Sequence, residues 1–269
     1  MYHFDHLVHF VEKPEQAIID LQKEGLHVVA GGQHEVWGTY NSLSYFDLSY
    51  VELIGINNED VFAQAAKQPY TLHESYENNK RSNGFTRVAL RTTTIEEDAE
   101  KFKEAGFDVS GPTAFSRTKP DGTTVRWQLL HIGKGPVKVS YPFFIQWDES
   151  DEVRREQLTT QGVIAPHAAG ALKITEVAYI LERTAYLEEL AEVLGAPLVF
   201  GVDEEYDAEI ATIELGGMRF KFYRPQGDGP VWEAYLDHGQ GIYNITLSGS
   251  NEEKVVHYEG ANYIFTSGK

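Results

Sequence analysis

An internal repeat constrains this chain more than any other feature of its sequence. Four times, a short stretch of alternating apolar and polar residues leads to a helical pattern and then a glycine. Each copy is marked by one residue in the stretch and by its glycine: His6 and Gly25, Arg87 and Gly106, Glu176 and Gly195, Asn244 and Gly260. The two residues are 19 positions apart in the first three copies and 16 apart in the fourth. This regular spacing predicts a chain built from repeated strand-helix units.

The first unit, residues 4–56, has the most complete pattern. Pro14 and Gly25 are the residue types expected at the start of a short amphipathic helix and just beyond its end. After this helix the sequence predicts further strands, interrupted by Gly31-Gly32 and by a turn near Asp47. The predicted strands are residues 4–10, 26–30, 39–48 and 49–56. The unit is therefore a βαβββ module.

The repeats predict an α+β fold in which βαβββ units pair into two domains. In the fourth unit, Ser250 and Glu253 form a predicted capping box for a helix that ends at Gly260, and the unit is cut short after residues 261–266. Polar and charged composition marks the connectors and the boundary between domains. The predicted divisions are a first domain at 1–165, containing units 1–83 and 84–148, and a second, degenerate domain at 166–269, with connectors at 57–83 and 149–170.

Composition limits the class of protein. The chain of 269 residues has no apolar run of about 18 residues, and its polar start leads directly into a strand, so we expect no membrane span, no signal peptide and a cytoplasmic location. A net charge of −18 argues against a nucleic-acid partner, because phosphate binding requires clustered Lys and Arg. The chain has no cysteine, which leaves His, Asp and Glu as metal-binding residue types.

Two polar residues are unusual for the core positions that they occupy in the first unit. His6 lies in the middle of the first strand and Glu52 in the middle of the last. An unpaired carboxylate is costly to bury, and a divalent metal bound by an imidazole and a carboxylate would compensate its charge. A strand histidine is also common as a hydrogen-bonded core residue, so both readings stay open at this point.

Several sequence segments resemble one known family. They are residues 5–8 (DHLV), 31–41 (GGQHEVWGTYN), 50–54 (YVELI), 116–122 (SRTKPDG), 126–127 (RW) and 142–147 (PFFIQW). Together they are similar to the glyoxalase-like branch of the vicinal oxygen chelate superfamily, and the resemblance covers roughly residues 1–150. The superfamily includes isomerases, lyases, extradiol dioxygenases and binding proteins without catalysis, so fold alone does not settle activity.

The resemblance implies a cup-shaped site whose metal ligands come from the first and last strands of two paired units. His6 and Glu52 match this pattern as metal ligands, and Glu52 is also the candidate catalytic base. In the second unit, Arg87 and Gln146 are expected at the corresponding places, so the ligand set for Zn, Mn, Fe or Ni is incomplete. The candidate substrate-binding residues are His34, Trp37, Arg87, Arg117, Arg126 and Gln146.

Three arrangements of the cup remain open from sequence. In the first, His6 and Glu52 bind a metal with a third ligand such as His34 or His131. In the second, no metal binds, and Arg87 meets either Glu52 or the carboxylate of a ligand held among Trp37, Trp127 and Trp147. In the third, the following polar residues satisfy one another in a closed core: His6, Glu52, Arg87 and Gln146.

Two classes of function follow from these arrangements. The first is metal-assisted isomerase, lyase or dioxygenase chemistry on a small molecule with adjacent oxygens, in which Glu52 moves between the roles of ligand and base. The second is a protein that binds or sequesters a small molecule without turning it over. The C-terminal pair of units lacks a His/Glu set, so we interpret it as structural or as a dimerising lid, and a homodimer stays open as a partner.

Overall fold

The computed structural model of the chain describes residues 1–118, 122–135 and 141–268. The chain forms two curved sheets of eight and seven strands, with helices packed on them. This is the α+β arrangement of paired βαβββ modules that the sequence predicts. The central residues of the 116–122 segment lie outside the described residues. No helix in the described part of the chain combines the length and the apolar character needed to cross a membrane.

Two units form the first sheet. Its elements are β1 (His3–Phe10), α1 (Pro14–Lys23), β2 (Val29–His34), β3 (Thr39–Phe46), β4 (Ser49–Ile56), α2 (Glu59–Ala65), α3 (Leu72–Asn78), β5 (Gly84–Arg91), α4 (Ile95–Glu104), β6 (Asp108–Thr118), β7 (Thr124–Gly133), β8 (Phe143–Trp147) and α5 (Asp151–Thr160). The strand order is β2-β3-β4-β1-β5-β8-β7-β6. β1 and β5 lie antiparallel at the centre, and each is parallel to the last strand of its own unit. The two units are thus related by an approximate two-fold axis between β1 and β5.

The second sheet repeats this plan with one strand fewer. Its elements are β9 (Gly170–Ile180), α6 (Tyr186–Leu194), β10 (Leu198–Asp203), β11 (Ala208–Leu215), β12 (Met218–Pro225), α7 (Pro230–His238), β13 (Gly241–Ser250), β14 (Lys254–Tyr258) and β15 (Ala261–Thr266). The strand order is β10-β11-β12-β9-β13-β15-β14, with β9 antiparallel to β13. The strand around Glu176 therefore begins a third βαβββ unit, as the 19-residue spacing predicts.

The fourth unit differs from its prediction because it has no helix before Gly260. Residues Lys254–Tyr258 form strand β14 instead. Their side chains include two adjacent β-branched valines, which favour a strand over a helix. Ser250 does not cap a helix, since its hydroxyl accepts the N–H of Glu252 at 3.3 Å and donates to the Glu252 carbonyl at 2.7 Å in a tight turn.

Two other sequence-based boundaries shift. Strand β2 runs through Gly31-Gly32, whereas the sequence suggested that these glycines end it. The connector at 57–83 contains two helices, α2 and α3, whose N-caps are the side chains of Asn58 and Thr71. This connector packs over the concave face of the first sheet through Phe62 and Tyr76. It is therefore part of the cup wall.

Apolar residues form one continuous core between the two sheets and the helices. Phe4 of β1 packs on Phe220 of β12, with ring centroids 6.4 Å apart. A buried polar contact also joins the sheets, because His9 Nδ1 lies 2.7 Å from the hydroxyl of Tyr263. A separate cluster fills part of the concave face of the first sheet. The shared core supports this cup from behind.

A glycine at the end of α1 shows how closely the two halves meet. Gly25 has φ +90°, its carbonyl accepts the N–H of Ala169 at 3.0 Å, and a Cβ on it would lie 2.8 Å from that same nitrogen. Gly217 has a similar φ of +86°, but a Cβ there would meet nothing within 4 Å. An alanine at either position would therefore strain the backbone, but only the alanine at Gly25 would also collide with a neighbouring residue.

We expect Gly25→Ala to lower the free energy of unfolding more than Gly217→Ala. The Gly217 variant should lose about 1 kcal/mol from the left-handed backbone alone, and the Gly25 variant about 2–4 kcal/mol because Ala169 must also move. Urea unfolding of both variants measures the difference. Equal losses would contradict the close approach of the chain at Gly25 and Ala169.

Candidate functional site

The concave face of the first sheet encloses a cavity of about 140 Å³. Its lining comes from both units and from α3. The polar and aromatic side chains that line it are His6, His34, Trp37, Asn41, Tyr45, Tyr50, Glu52, His73, Arg117, Trp127, His131, Phe143 and Trp147. We call this cavity the cup.

At one wall of the cup, His6 is held by a fully buried carboxylate. Its Nδ1 lies 2.7 Å from Oδ1 of Asp5. The other oxygen, Oδ2, accepts the indole N–H of Trp147 at 3.0 Å and a guanidinium N–H of Arg91 at 3.2 Å. Burial opposes ionisation, but the hydrogen bond from His6 and the charges of Arg154 and Arg91 lower the pKa of Asp5 to about 2. An ionised Asp5 fixes a proton on Nδ1 and leaves Nε2 of His6 free.

The free nitrogen of His6 faces Glu52. Nε2 lies 3.7 Å from Oε2 of Glu52, and Nε2 of His34 lies 4.0 Å from Oε1. His34 itself is placed by a 3.0 Å contact between its Nδ1 and the hydroxyl of Thr39. The arrangement brings one carboxylate and two imidazoles to one side of the cup.

Asn41 fixes the orientation of Glu52. Its Nδ2 donates to Oε1 of Glu52 at 2.6 Å, and its Oδ1 accepts the backbone N–H of Gly32 at 2.8 Å. A Cβ at Gly31 would clash with the same Oδ1. The missing Cβ of Gly31 therefore allows β2 to approach Asn41 closely, and this approach determines where the Glu52 carboxylate points.

Aromatic rings and further imidazoles form the rest of the cup. Trp127 and Trp147 lie 5.9 Å apart, and Trp37 stacks on His73 at 5.0 Å. Burial, followed by the charge of Arg87, lowers the pKa of His131 to about 3. Burial, followed by His34, lowers the pKa of His73 to about 4. Both rings are uncharged at neutral pH.

The cup opens into a wider vestibule of about 740 Å³. Arg117 and Trp127 border both spaces, and α5 forms one side of the vestibule. Arg154 of α5 stacks over Trp147 at 4.1 Å and comes within 3.9 Å of Asp5 Oδ2. Arg117 and Arg154 thus lie between the vestibule and the His6 wall, while Glu35 and Glu149 also line the vestibule.

Comparison with known proteins identifies the family. A family model described as a glyoxalase-like domain matches residues 4–195, which is most of the chain. The chain belongs to the glyoxalase-like domain family. The match continues past residue 165, so the boundary between domains stays a sequence prediction. No curated protein matches the chain.

Solved structures share the fold of this glyoxalase-like protein. A hypothetical protein from Staphylococcus aureus is 22% identical, with a TM-score of 0.82 over 99% of this chain and 100% of that one. A mutant of 4-hydroxymandelate synthase from Streptomyces coelicolor is 11% identical, with a TM-score of 0.56 over 91% of this chain and 70% of that one. At these identities the similarity shows the fold alone.

The predicted position of Arg87 in the cup is wrong. Its Nε and Nη2 donate to the carbonyl of Tyr141 at 3.1 and 2.6 Å, and its Nη1 donates to the carbonyl of Tyr70. The side chain is 2% exposed, and burial lowers its pKa to about 10. Arg87 therefore joins β5 to the backbone segments just before α3 and β8, and it makes no pair with Glu52.

Gln146 and Arg126 also lie away from the cup. Oε1 of Gln146 accepts the N–H of Ile95 at 2.9 Å and so caps the first turn of α4, on the helix side of the sheet. Arg126 is exposed on the face of β7 opposite to its cup-lining neighbour Trp127. His34, Trp37 and the rim residue Arg117 do line the cup, and their roles in binding remain predictions.

Strand register explains the error at Gln146. In the first unit, Val8 of β1 pairs with Glu52 of β4. In the second unit, the equivalent Ala89 pairs with Phe143 of β8. Phe143 therefore takes the place of Glu52, three residues before Gln146. An odd shift along a strand moves a side chain to the opposite face.

The donors of the glyoxalase-like cup fit a divalent metal only in part. His6 and Glu52 face one space, but Arg87 and Phe143 at the equivalent positions cannot bind a cation. Across the residues that the structure describes, no group of three or more His, Asp or Glu side chains is arranged to hold a metal ion. A four-ligand set of the family type does not fit. His6 and Glu52 are the pair that a metal would use.

Three residues of the site were missed by sequence reasoning. Asp5 precedes His6, but neighbouring strand residues normally face opposite sides, and a register shift between Phe4 and His6 turns Asp5 toward it. Asn41 follows the glycine segment without any spacing that marks it. His73 likewise has no sequence spacing that suggests a site. The adjacent Asp-His pair was the one signal available.

Acid should destabilise the protein through its buried imidazoles. The pKa values of His9, His73 and His131 are lowered to about 4, 4 and 3, whereas unfolded histidines titrate near 6.5. The unfolded chain then binds more protons below pH 6.5, so stability present above that pH is lost as pH falls toward 4. Each shift corresponds to at most about 3–5 kcal/mol.

Urea unfolding at pH 7.5 and pH 5.0 measures this loss. We expect a lower midpoint at pH 5.0, and a smaller difference between the two values in His131→Phe. Asp5 does not contribute in this window because its pKa is about 2. Equal midpoints at the two pH values would contradict the buried, uncharged state of these rings.

Proposed function

We propose that this glyoxalase-like protein is an enzyme that moves a proton next to a carbonyl group of a small molecule bound in the cup. The observation that carries the proposal is the short contact between Asp5 and His6, which leaves Nε2 of His6 directed at the cup and 3.7 Å from Glu52. A carboxylate-held imidazole beside a second carboxylate is a suitable pair for general acid-base catalysis.

His6 is the residue that we assign as the base. Ionised Asp5 keeps a proton on Nδ1 and stabilises the charge that develops when Nε2 takes a proton from the substrate carbon. Glu52, held by Asn41, lies close enough to exchange that proton with His6 through a small movement. The carbonyl oxygen of the substrate takes up the electron pair as an enolate. Return of the proton to the former carbonyl carbon, while the neighbouring hydroxyl gives up its proton to become the new carbonyl, completes an isomerisation.

The cup supports a substrate with a flat body and adjacent oxygens. Three tryptophans line its walls, and flat apolar rings are bound well by such surfaces. Arg117 at the rim would attract negative charge on the substrate. His6 and Glu52 are the residues that would hold a divalent metal, which would supply a positive charge next to the substrate carbonyl and leave Glu52 as the candidate base.

A binding protein without turnover is the second candidate, and one observation favours it. The equivalents of His6 and Glu52 in the second unit are Arg87 and Phe143, so half of the family-type ligand set is replaced by groups that cannot ligate. A cup of this kind could hold a small anionic or aromatic ligand through the Trp walls and Arg117. Proton exchange separates the two candidates, since a binder would not catalyse it.

Exchange of hydrogen for deuterium in 2-hydroxyacetophenone tests the enzyme. This probe carries adjacent oxygens, an aromatic ring and exchangeable protons next to its carbonyl. In D2O, we expect the wild-type protein to accelerate loss of the CH2 signal in proton NMR. His6→Gln should slow the protein-catalysed exchange by about 100-fold or more, with smaller losses for Asp5→Asn and Glu52→Gln.

Arg126→Ala is the matched control, because the Arg126 side chain lies outside the cup. This variant should catalyse exchange of the probe at the wild-type rate. Thermal shift measurements with the same probe report binding separately. Stabilisation of wild type by the probe, without any exchange above the buffer rate, would favour the binder. Unchanged exchange in His6→Gln would remove His6 as the base.

Metal titration tests the donor pair. Zn, Mn, Fe and Ni are each added to protein purified without a His tag, and Tm is followed, since a ligand that binds only the folded state raises it. We expect a modest rise for wild type and none for Glu52→Gln. Phe143→His adds a donor at the position equivalent to Glu52, so it should increase the rise.

Arg87→Met should leave the metal response unchanged, because the Arg87 guanidinium is already bound to backbone carbonyls. A response of equal size in wild type and Glu52→Gln would show that the metal binds elsewhere. An unchanged response in Phe143→His would contradict the equivalence of Phe143 and Glu52.

A further inference from the structure

His73 is a buried imidazole in the wall of the cup. It comes from α3, in the connector between the first two units, and its side chain is 5% exposed. Within the described part of the chain, neither of its ring nitrogens has a partner in hydrogen-bond geometry. A looser hydrogen bond to the backbone of Trp37 acts to raise the pKa of His73, but burial, which is the largest effect, and His34 outweigh it. A buried polar group without a partner costs stability.

Packing, rather than hydrogen bonding, holds this ring in place. Trp37 stacks on it at 5.0 Å with an interplanar angle of 22°, and Phe62 lies 4.9 Å away at 52°. Leu72 and Thr71 beside it also line the cup. The ring therefore lines the cavity and is held there by rigid neighbours.

His9 provides an internal comparison. It is also fully buried, and burial lowers its pKa to about 4, the same value as for His73. Both nitrogens of His9 have partners, since Nδ1 lies 2.7 Å from the Tyr263 hydroxyl and Nε2 lies 3.1 Å from the Glu259 carbonyl. His9 is thus a satisfied structural histidine. His73 is also buried, at 5% exposed against 0% for His9, but makes none of these bonds.

We propose that His73 is a ligand-binding residue of the cup, where its uncharged ring forms a hydrogen bond with a hydroxyl or carbonyl group of the bound molecule. This proposal rests on the proposed function, because it takes the cup as the small-molecule site. It adds that the ligand carries an uncharged polar group on the part of its body that lies against Trp37, in addition to the oxygens at His6.

The chemistry of the ring selects the ligand group. An uncharged imidazole has one N–H donor and one nitrogen acceptor, so it matches a hydroxyl, which is both acceptor and donor. A group that carries a full charge would lose more solvation than this ring could return. The ligand class is therefore a flat carbonyl compound with a hydroxyl or second carbonyl on its ring.

The substitution His73→Phe tests the proposal with two readouts. Phenylalanine keeps a ring between Trp37 and Phe62 and removes the unpaired nitrogens. If the nitrogens serve a ligand, the free variant should be more stable than wild type, with Tm raised by about 2–4 °C. His9→Phe is the matched control, and it should lower Tm because it leaves the Tyr263 hydroxyl and the Glu259 carbonyl without their partner.

The second readout compares two probes, 2-hydroxyacetophenone and its ring-hydroxylated form 2,4′-dihydroxyacetophenone. Wild type should bind the ring-hydroxylated form more tightly. In His73→Phe this preference should fall by about tenfold, the effect of one hydrogen bond, while binding of the unsubstituted probe stays within about twofold. Calorimetric titration of both proteins with both probes measures the preference.

A lower Tm for His73→Phe, comparable with that of His9→Phe, would show a structural role and overturn the proposal. An equal preference between the probes in wild type and His73→Phe would overturn it as well. The proposed function fails separately, since it depends on His6→Gln abolishing deuterium exchange. Loss of the probe preference in His73→Phe with unaltered exchange in His6→Gln would support His73 and reject the proton-transfer assignment.

Discussion

The site depends on one fully buried carboxylate. Asp5 lies at the junction of three strands, where it contacts His6 on β1, Arg91 on β5 and Trp147 on β8. A buried anion is tolerated only when charges and N–H groups surround it, and these partners supply them. The same contacts fix the tautomer of His6 and join the two units of the first sheet. Sheet assembly and the orientation of the imidazole therefore have one physical cause.

The opposite side of the site is controlled by the backbone. Gly31 lets β2 come close to Asn41, which accepts the N–H of Gly32, and Asn41 in turn directs Glu52 toward His6. The resulting cup contains polar groups that protein atoms do not fully satisfy, and this lowers stability. The continuous apolar core shared by the two sheets stabilises the fold enough to tolerate that loss. A cup of this kind is suited to a ligand that completes the missing hydrogen bonds.

The sequence predicts the fold well because equal spacing between a strand residue and the glycine after the helix marks each copy of the same strand-helix unit. It also predicts that His6 and Glu52 share a space, since both are polar residues at core positions of adjacent strands. The prediction fails at Gln146 because the residue equivalent to Glu52 is Phe143, three positions earlier in β8. A shift by an odd number of residues places the Gln146 side chain on the opposite face of the sheet. The prediction fails at His73 for a different reason, because the packing of a connector over a sheet depends on tertiary contacts that local pattern does not encode. The helix expected before Gly260 fails because the β-branched residues of β14 outweigh a capping pattern.

The second sheet shows how the same framework behaves when its central polar residues pair with each other. By strand register, Glu176 takes the place of His6, and Lys221 takes the place of Glu52. Lys221 Nζ lies 3.0 Å from Glu176 Oε2, so these two groups compensate each other without a ligand. Helix α7 packs on the concave face through the fully buried Val231, as the connector of the first sheet does through Phe62 and Tyr76. Since the strand order is shared, the fold does not decide whether a cup binds anything. The difference comes from whether the central polar residues satisfy one another, and in the first sheet His6 and Glu52, 3.7 Å apart, face a cavity instead of forming a closed pair.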